Sequence, residues 1–411
     1  MKREVMTEAT LKQFNPWWKG AYAPPGFVRG QYLEQIEKML AIQKIVILHG
    51  LRRVGKTYIM KQFISQLIPE YGPDRIFYAS LDHPKIRELS IIDLLGEFRR
   101  LCRAGRGEKQ VLLLDEVQHR EGFEWELKAL HDTEDDLLIV VAGSSSLVVR
   151  HKSSALTGRY MKLEVLPLDF REYLVFTDRE FDSFEPDLMA GFMEDYLVTG
   201  GMPQYVLTRE PQILLNIVED VVYKDIVKEH GVRNPNKLND LAFLLMDRVG
   251  RPLGYSKIGK LIGVGKDAAA RYVDFFTQTS LLTLCEKHGS PNERTYSPRK
   301  LYCQDNGFRV LMAGAGGIGA LAENLVFNLL KKQGDVRFYN RDGKEVDFIT
   351  KDMAVEVKYK DLPKDKDCAN LPKIRERGIR RKVVVTRREL GNRGELEMIP
   401  LWKLAGEGFD P

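Results

Sequence analysis

Residues 45–57 read Ile45-Val46-Ile47-Leu48-His49-Gly50-Leu51-Arg52-Arg53-Val54-Gly55-Lys56-Thr57. The opening apolar, β-branched run predicts a parallel strand buried on both faces. Gly50 to Thr57 fits G-x-x-x-x-G-K-[ST] at every fixed position, and Ile59, Met60, Phe63, Ile64 and Leu67 then recur at helical spacing. Strand, glycine loop and helix in that order predict a phosphate-binding loop. The glycines let backbone N–H groups turn toward a polyphosphate seated on the positive end of the new helix. Lys56 reaches the β- and γ-phosphates, and the Thr57 hydroxyl is placed to ligate Mg²⁺. Gly50, Arg52, Arg53, Val54, Gly55, Lys56, Thr57 and Tyr58 form the binding set expected for ATP. A chance glycine turn would not bring this strand and helix with it.

Outward from the loop, strands are expected at 75–81, 111–114, 137–142 and 161–166, with helices at 91–103 and 124–131 between them. The run Val111-Leu112-Leu113-Leu114 delivers Asp115 and Glu116 to the carboxyl end of the sheet, where α/β folds place ligands. Asp115 is expected to hold Mg²⁺ through water and Glu116 to orient or deprotonate the attacking water. Alone, such a pair is as readily a solvated strand end; an upstream P-loop gives it meaning. In Ala142-Gly143-Ser144-Ser145-Ser146, Ser144 either touches the γ-phosphate or the water, or caps the next helix. Arg159, in Leu156-Thr157-Gly158-Arg159, is either a finger reaching a neighbouring subunit's nucleotide or a surface arginine. The aromatic, proline-rich lead-in (Pro16, Trp17, Trp18, Pro24, Pro25, Phe27) either packs near the adenine with Arg29 beside it or pads the sheet edge.

Composition sets the frame. A chain of 411 residues, 44% hydrophobic and 29% charged, with mean hydropathy −0.30, is soluble and globular, with two to four domains. No apolar run approaches a membrane span, and Met1 to Gln13 shows no signal-peptide h-region. Cys102, Cys285, Cys303 and Cys368 stand far apart, which argues against zinc and fits a reducing cytoplasm. A net charge of +5 permits nucleic-acid binding without demanding it.

The ordered set GLRRVGKT, LLLDEVQ, AGSSS, LTGR and LPLDFREYL, followed by Tyr196-Leu197-Val198-Thr199-Gly200-Gly201-Met202-Pro203, resembles archaeal and bacterial AAA+-type, STAND-like ATPases with a nuclease-like C-terminal domain. The resemblance covers nearly the whole chain. It implies an α/β core with the P-loop strand central, a helical lid, and nucleotide at their junction. Two features depart from it: Arg52 and Arg53 put two charges inside the phosphate loop, and no separate lid arginine stands out. The expected organisation is a lead-in (1–28), ATPase core (29–168), lid (169–235), winged helix (236–305) and nuclease-like α/β domain (306–411).

The winged-helix expectation rests on helices at 238–248, 256–262 and 267–279, the last two joined by Gly263-Val264-Gly265. A hairpin with Arg294, Arg299 and Lys300 in its loop then suits a wing touching phosphates. Such elements also serve as joints, and the recognition helix offers only Lys266 and Arg271.

Further on, a helix at 320–331 carries Glu323, strands at 336–340, 345–350 and 354–359 carry Asp347, Glu356 and Lys358, and a helix at 371–377 precedes a last strand at 382–386. Asp347 interrupts an apolar run, which is costly unless the carboxylate is bound or paired. Glu356 and Lys358, two apart on a strand, share a face. The D…E-x-K order resembles the PD-(D/E)XK nuclease superfamily, including archaeal Holliday-junction resolvases. That resemblance implies a phosphodiesterase fold in which Asp347, Glu356 and Glu323 hold a divalent ion beside Lys358. The other reading is an amphipathic strand with a wet charged face. Lys360, Lys364, Lys366, Lys373, Arg375, Arg377, Arg380, Arg381 and Lys382 could track a phosphate backbone or form a solvated surface.

The leading expectation is a homo-oligomeric, Mg²⁺- and ATP-dependent DNA-binding ATPase acting on branched or junction DNA. Beside it stand an ATP-regulated nuclease and a signalling ATPase that binds a protein partner.

Overall fold

The computed structural model describes residues 2–42, 44–105, 107–144 and 155–409, with side chains from Glu8 onward. Ser145 and Ser146 of the serine run lie outside the described residues. The chain divides into two compact units, Met1–Leu166 and Pro167–Pro411.

The first unit is a five-stranded, all-parallel sheet: β1 (Ile45–His49), β2 (Ile76–Ser80), β3 (Gln110–Asp115), β4 (Leu137–Ala142) and β5 (Tyr160–Glu164), in the order β2-β3-β4-β1-β5. Helices Gly30–Leu40, Lys56–Tyr71, Ile91–Cys102 and Phe123–Thr133 connect and cover it. The continuous apolar runs of β1 and β3 are buried throughout except at His49, as strands covered on both faces require. Ser90 starts one helix by accepting from the Asp93 N–H at 2.9 Å. The P-loop strand lies between β4 and β5, one strand in from an edge rather than at the centre.

The lead-in closes the opposite edge. A helix at Lys2–Phe14 ends at Asn15, whose side chain donates to the Tyr78 carbonyl (2.9 Å) and accepts from the Tyr78 N–H (2.7 Å). Trp17 and Trp18 indoles both donate to the Ile76 carbonyl, at 3.1 and 3.0 Å. Asn15 thus stands where a sixth strand would pair, removing the hazard of an open edge at β2. Residues 25–27 turn instead to the P-loop helix, where Gln62 donates to the Pro25 and Phe27 carbonyls.

The second unit begins with helices and ends in a mixed eight-stranded sheet of order β12-β13-β11-β10-β9-β8-β6-β7. Its strands are β6 (Leu282–Lys287), β7 (Lys300–Cys303), β8 (Arg337–Arg341), β9 (Lys344–Ile349), β10 (Met353–Val357), β11 (Arg381–Thr386), β12 (Gly391–Arg393) and β13 (Leu396–Pro400). Asp169 and Glu172 form a reciprocal capping box at the start of helix Phe170–Phe176. Helices Pro235–Asp247, Tyr255–Ile262 and Lys266–Gln278 precede the β6–β7 hairpin, whose loop holds a further short helix, Pro291–Tyr296. The hairpin does not stand free. Glu286 and Lys287 pair in parallel with Arg337 and Phe338, and Tyr302 stacks on Phe327 at 4.1 Å between ring centres. The expected boundaries after 235 and 305 fall inside this unit. The helix expected at 371–377 is a correction: only Leu371–Lys373 makes a short turn, because Pro372 starts it and Ile374 is already extended. Among the described residues, no helix is long and apolar enough to cross a membrane.

Removing the Asn15 amide leaves both backbone groups of buried Tyr78 unmatched. Asn15→Ala should cost the first unit about 1–3 kcal/mol, read as a lower urea midpoint of its transition; an unchanged midpoint would show that the edge does not need this cover.

Candidate functional site

The parallel register brings the sequence motifs to one end of the first sheet. Val46, Ile47 and Leu48 pair with Val140, Val141 and Ala142, and Leu114 pairs with Val141, so β1, β3 and β4 finish nearly level. The P-loop leaves β1 at Gly50, whose φ is 146° and whose Cα faces the Val165 carbonyl so closely that a Cβ would sit 2.2 Å from that oxygen. Only glycine fits there. The loop ends on Gly55, so helix Lys56–Tyr71 opens without a side-chain cap hydrogen bond.

Lys56 is 7% exposed and donates to the Gly50 and Leu51 carbonyls, each at 3.0 Å, spanning the loop it belongs to. The Thr57 hydroxyl donates to Asp115 Oδ2 at 2.5 Å, and the Tyr78 hydroxyl reaches the same oxygen at 3.1 Å. Asp115 Oδ1 accepts the Glu116 N–H at 2.9 Å. Burial pushes the Asp115 carboxyl up; the Thr57 hydrogen bond and the Lys56 charge pull it back. Burial, with the Asp115 charge, raises the Tyr78 phenol so far that it stays protonated and can only donate to a carboxylate. Glu116 holds a left-handed backbone (φ 51°), uncommon for a non-glycine residue, and its carboxylate accepts from Gln118. Thr57 and Asp115 together present hard oxygen donors, the set Mg²⁺ takes alongside substrate phosphates and water.

Ser144 is buried two residues beyond Ala142, at the same end of the sheet as Gly50. Arg52 is half-buried and Arg53 exposed, with φ 62°, on the crest of the loop. Val54 is buried, and Tyr58 is exposed, its ring beside Gly26. Arg159 is not brought to this end. It precedes β5, its carbonyl accepts the Ile45 N–H at the start of β1, and its guanidinium forms a two-pronged pair with Asp132 at 2.7 and 3.1 Å.

Arg29 was outside the expected binding set. It is buried, donates to the Val54 carbonyl (3.0 Å) and the Leu166 carbonyl (3.1 Å), and lies over the Tyr32 ring. It therefore ties the phosphate loop to the segment after β5. Tyr78 and Gln118, which donate to the Asp115 and Glu116 carboxylates, were also outside that set, although Gln118 closes the LLLDEVQ run.

In the second unit, Asp347 and Glu356 meet across β9 and β10. Asp347 Oδ2 accepts the Val357 N–H at 2.8 Å, and Lys358 pairs with Glu356 at 2.6 Å. Glu323, on helix Ile318–Gln333, accepts from the Tyr302 hydroxyl at 2.8 Å. Lys300, expected on an exposed wing, is buried instead; it pairs with Glu345 at 2.9 Å and lies over Phe338. Burial opposes its charge, but Glu323, Glu345 and Asp347 hold it above the ordinary lysine value. Arg299 pairs with Glu286. Two lysines, a phenol and a backbone N–H thus occupy the acidic cluster. Among the described residues, no group of three or more Asp, Glu, His or Cys side chains is arranged to hold a metal ion; Glu323, Asp347 and Glu356, expected to share a divalent ion, are engaged by these partners.

Residues 42–174 match the AAA domain family, while residues 192–317 and 318–404 match two domains of unknown function, DUF8612 and DUF4143. An uncharacterized protein of Methanocaldococcus jannaschii is 26% identical over 332 residues, 76% of this chain and 74% of the relative. Another, of Haemophilus influenzae, is 26% identical over 349 residues, 80% and 85% of the two chains. Among solved structures, the Walker-type ATPase PABY2304 of Pyrococcus abyssi aligns over 70% of this chain and 96% of its own, at 14% identity and TM-score 0.41. AMPPCP-bound DnaA of Aquifex aeolicus aligns over 60% and 87%, at 15% identity and TM-score 0.25. The first unit is an α/β domain of the P-loop ATPase type.

The buried acids of the second unit set a pH dependence. Burial, then the Asp347 charge, pushes Glu323 and Glu356 up to about 7, and burial pushes Asp305 up to about 6. Each holds its proton more tightly folded than unfolded, so stability falls as pH rises from about 4.5 to about 7 and then levels. Glu323→Gln should flatten that slope in urea midpoints measured across the range; an unchanged slope would count against its raised proton affinity.

Proposed function

We propose that this chain is a Mg²⁺-dependent ATP hydrolase that assembles into a homo-oligomer and engages DNA through its C-terminal unit. The observation that carries the hydrolase reading is the hydrogen bond from Thr57 to Asp115, with Glu116 next in the chain and Lys56 spanning the loop. Thr57 and Asp115 would hold Mg²⁺, which when bound neutralises charge on the β- and γ-phosphates. Glu116, fixed by Gln118 and by its left-handed backbone, orients the attacking water and accepts its proton. Lys56 offers its charge to the transferring phosphoryl group, and Ser144 stands at the same strand ends to contact the γ-phosphate side. The role proposed for Arg159 belongs to a neighbouring copy, since it lies at the other end of β1 and β5 from its own P-loop.

The DNA reading draws its support from exposed basic residues around β10 and β11. Lys364, Lys366, Lys373, Arg375, Arg377 and Arg380 are exposed and outside the ion pairs found among the described residues, whereas Lys360, Arg381 and Lys382 pair with Asp367, Glu397 and Glu395. Such a set suits phosphate contacts, on branched as well as linear DNA, without base readout. The expected recognition helix points elsewhere. Its exposed face carries Lys266 and Arg271 but also Asp267 and Asp274, which favours a second reading in which this element faces a protein partner.

Lys56→Ala should abolish ATP turnover, and Glu116→Gln should lower kcat by about 10²–10⁴-fold while leaving ATP binding in place. Gel shifts with linear, forked and four-way DNA, with and without ATP, address the partner. Binding that weakens with salt and changes with nucleotide supports the reading, and no binding to any substrate at low salt ends its DNA half.

A further inference from the structure

Between helices Asn306–Ala313 and Ile318–Gln333 the chain reads Gly314-Ala315-Gly316-Gly317, followed by Ile318-Gly319. Gly314, Gly316 and Gly317 all hold positive φ, at 75°, 60° and 100°, and are exposed. A Cβ added at Gly314, Gly317 or Gly319 would meet nothing within 4 Å. The helix that follows is 16 residues long and has glycine at its N-cap, so it opens without a side-chain cap hydrogen bond. A glycine turn between two helices is by itself only a connection.

Arg309 makes it more than that. Its side chain is 4% exposed and turned to the loop: its Nη2 lies 2.8 Å from where a Cβ on Gly316 would sit. Its Nη1 is buried with no hydrogen-bond partner. Burial, with the nearby charge of Arg251, works against the guanidinium, while Glu323 and Asp247 favour it. Glu323 is already engaged by the Tyr302 hydroxyl. A guanidinium nitrogen kept dry and without an acceptor is expensive unless an anion completes it. A planar fork of donors next to backbone N–H groups at a helix N-terminus suits a tetrahedral oxyanion.

We propose that Arg309, the Gly314–Gly319 loop and the start of helix Ile318–Gln333 form a second phosphate site, separate from the P-loop, that takes the phosphate group of a free phosphorylated ligand or of a nucleic-acid backbone. The site stands whether or not the chain hydrolyses ATP. If the DNA reading holds, it seats a backbone phosphate beside the Glu323 cluster.

The test uses the full chain carrying Lys56→Ala, so that the P-loop contributes no phosphate affinity. Inorganic phosphate, and separately a DNA duplex, are titrated at constant ionic strength, with calorimetry and thermal unfolding of the second unit as readouts. The parent should bind phosphate and melt higher with it. Arg309→Met should lose that response by roughly tenfold or more in affinity, and without phosphate it should melt no lower than the parent, because an unmatched buried charge has gone. Gly316→Ala, which thrusts a methyl group at the guanidinium, and Arg309→Lys, which keeps the charge but not the fork, should each weaken binding and keep the test open if Arg309→Met does not fold. Competition of duplex with phosphate assigns the ligand to a nucleic-acid backbone; phosphate binding without competition assigns it to a small phosphorylated molecule; either supports the site. Equal phosphate responses in parent and Arg309 variants, or a parent that responds to neither probe, overturn it.

Discussion

The hydrogen bond between Thr57 and Asp115 is the constraint on which the first unit depends. The strands that lead to them, β1 and β3, are not neighbours, because β4 lies between the two. Two inter-strand steps separate β1 from β3 by about 10 Å, and the P-loop must arch across the end of β4 to place Thr57 against Asp115. That arch works only if all three strands end at the same level, which the parallel register supplies. Slipping one strand by a single residue would turn Asp115 to the other face of the sheet.

The surroundings of the loop serve that arch. Gly50 lets the chain pass against Val165, and Arg29 draws the Val54 and Leu166 carbonyls toward one guanidinium. The same N-terminal segment seals the far edge through Asn15, Trp17 and Trp18. Of the two readings of the lead-in, the padding of the sheet edge has its counterpart at β2, while the next stretch braces the phosphate loop and its helix. In each case a side chain satisfies backbone groups that would otherwise be buried unmatched.

The second unit buries several charges and balances most of those internally. Lys358 answers Glu356, Lys300 answers Glu345 within reach of Asp347 and Glu323, and Asp305 caps helix Asn306–Ala313 while accepting from Gly201. Buried pairs of this kind add little net stability but are costly to break singly, so they fix which strand lies beside which. Arg309 stands apart from that balance, with its buried Nη1 left without a hydrogen-bond partner.

The local pattern of residues was enough to determine the α/β class, the P-loop, the acidic strand end and most element positions, because each is written in contiguous periodicity and fixed spacing. Glu116, Lys56, Thr57 and Asp115 were legible for that reason. Strand order, the joining of the β6–β7 hairpin to the C-terminal sheet, and the burial of Lys300 were not, since pairing between distant segments leaves no mark on the residues next to each partner. Tyr78 and Arg309 look like ordinary surface or core residues in the chain, and Arg29 gave no sign of its hold on the Val54 and Leu166 carbonyls. Only the tertiary structure decided what each one faces, because a side chain's role is set by desolvation and by the groups that folding brings within hydrogen-bond reach.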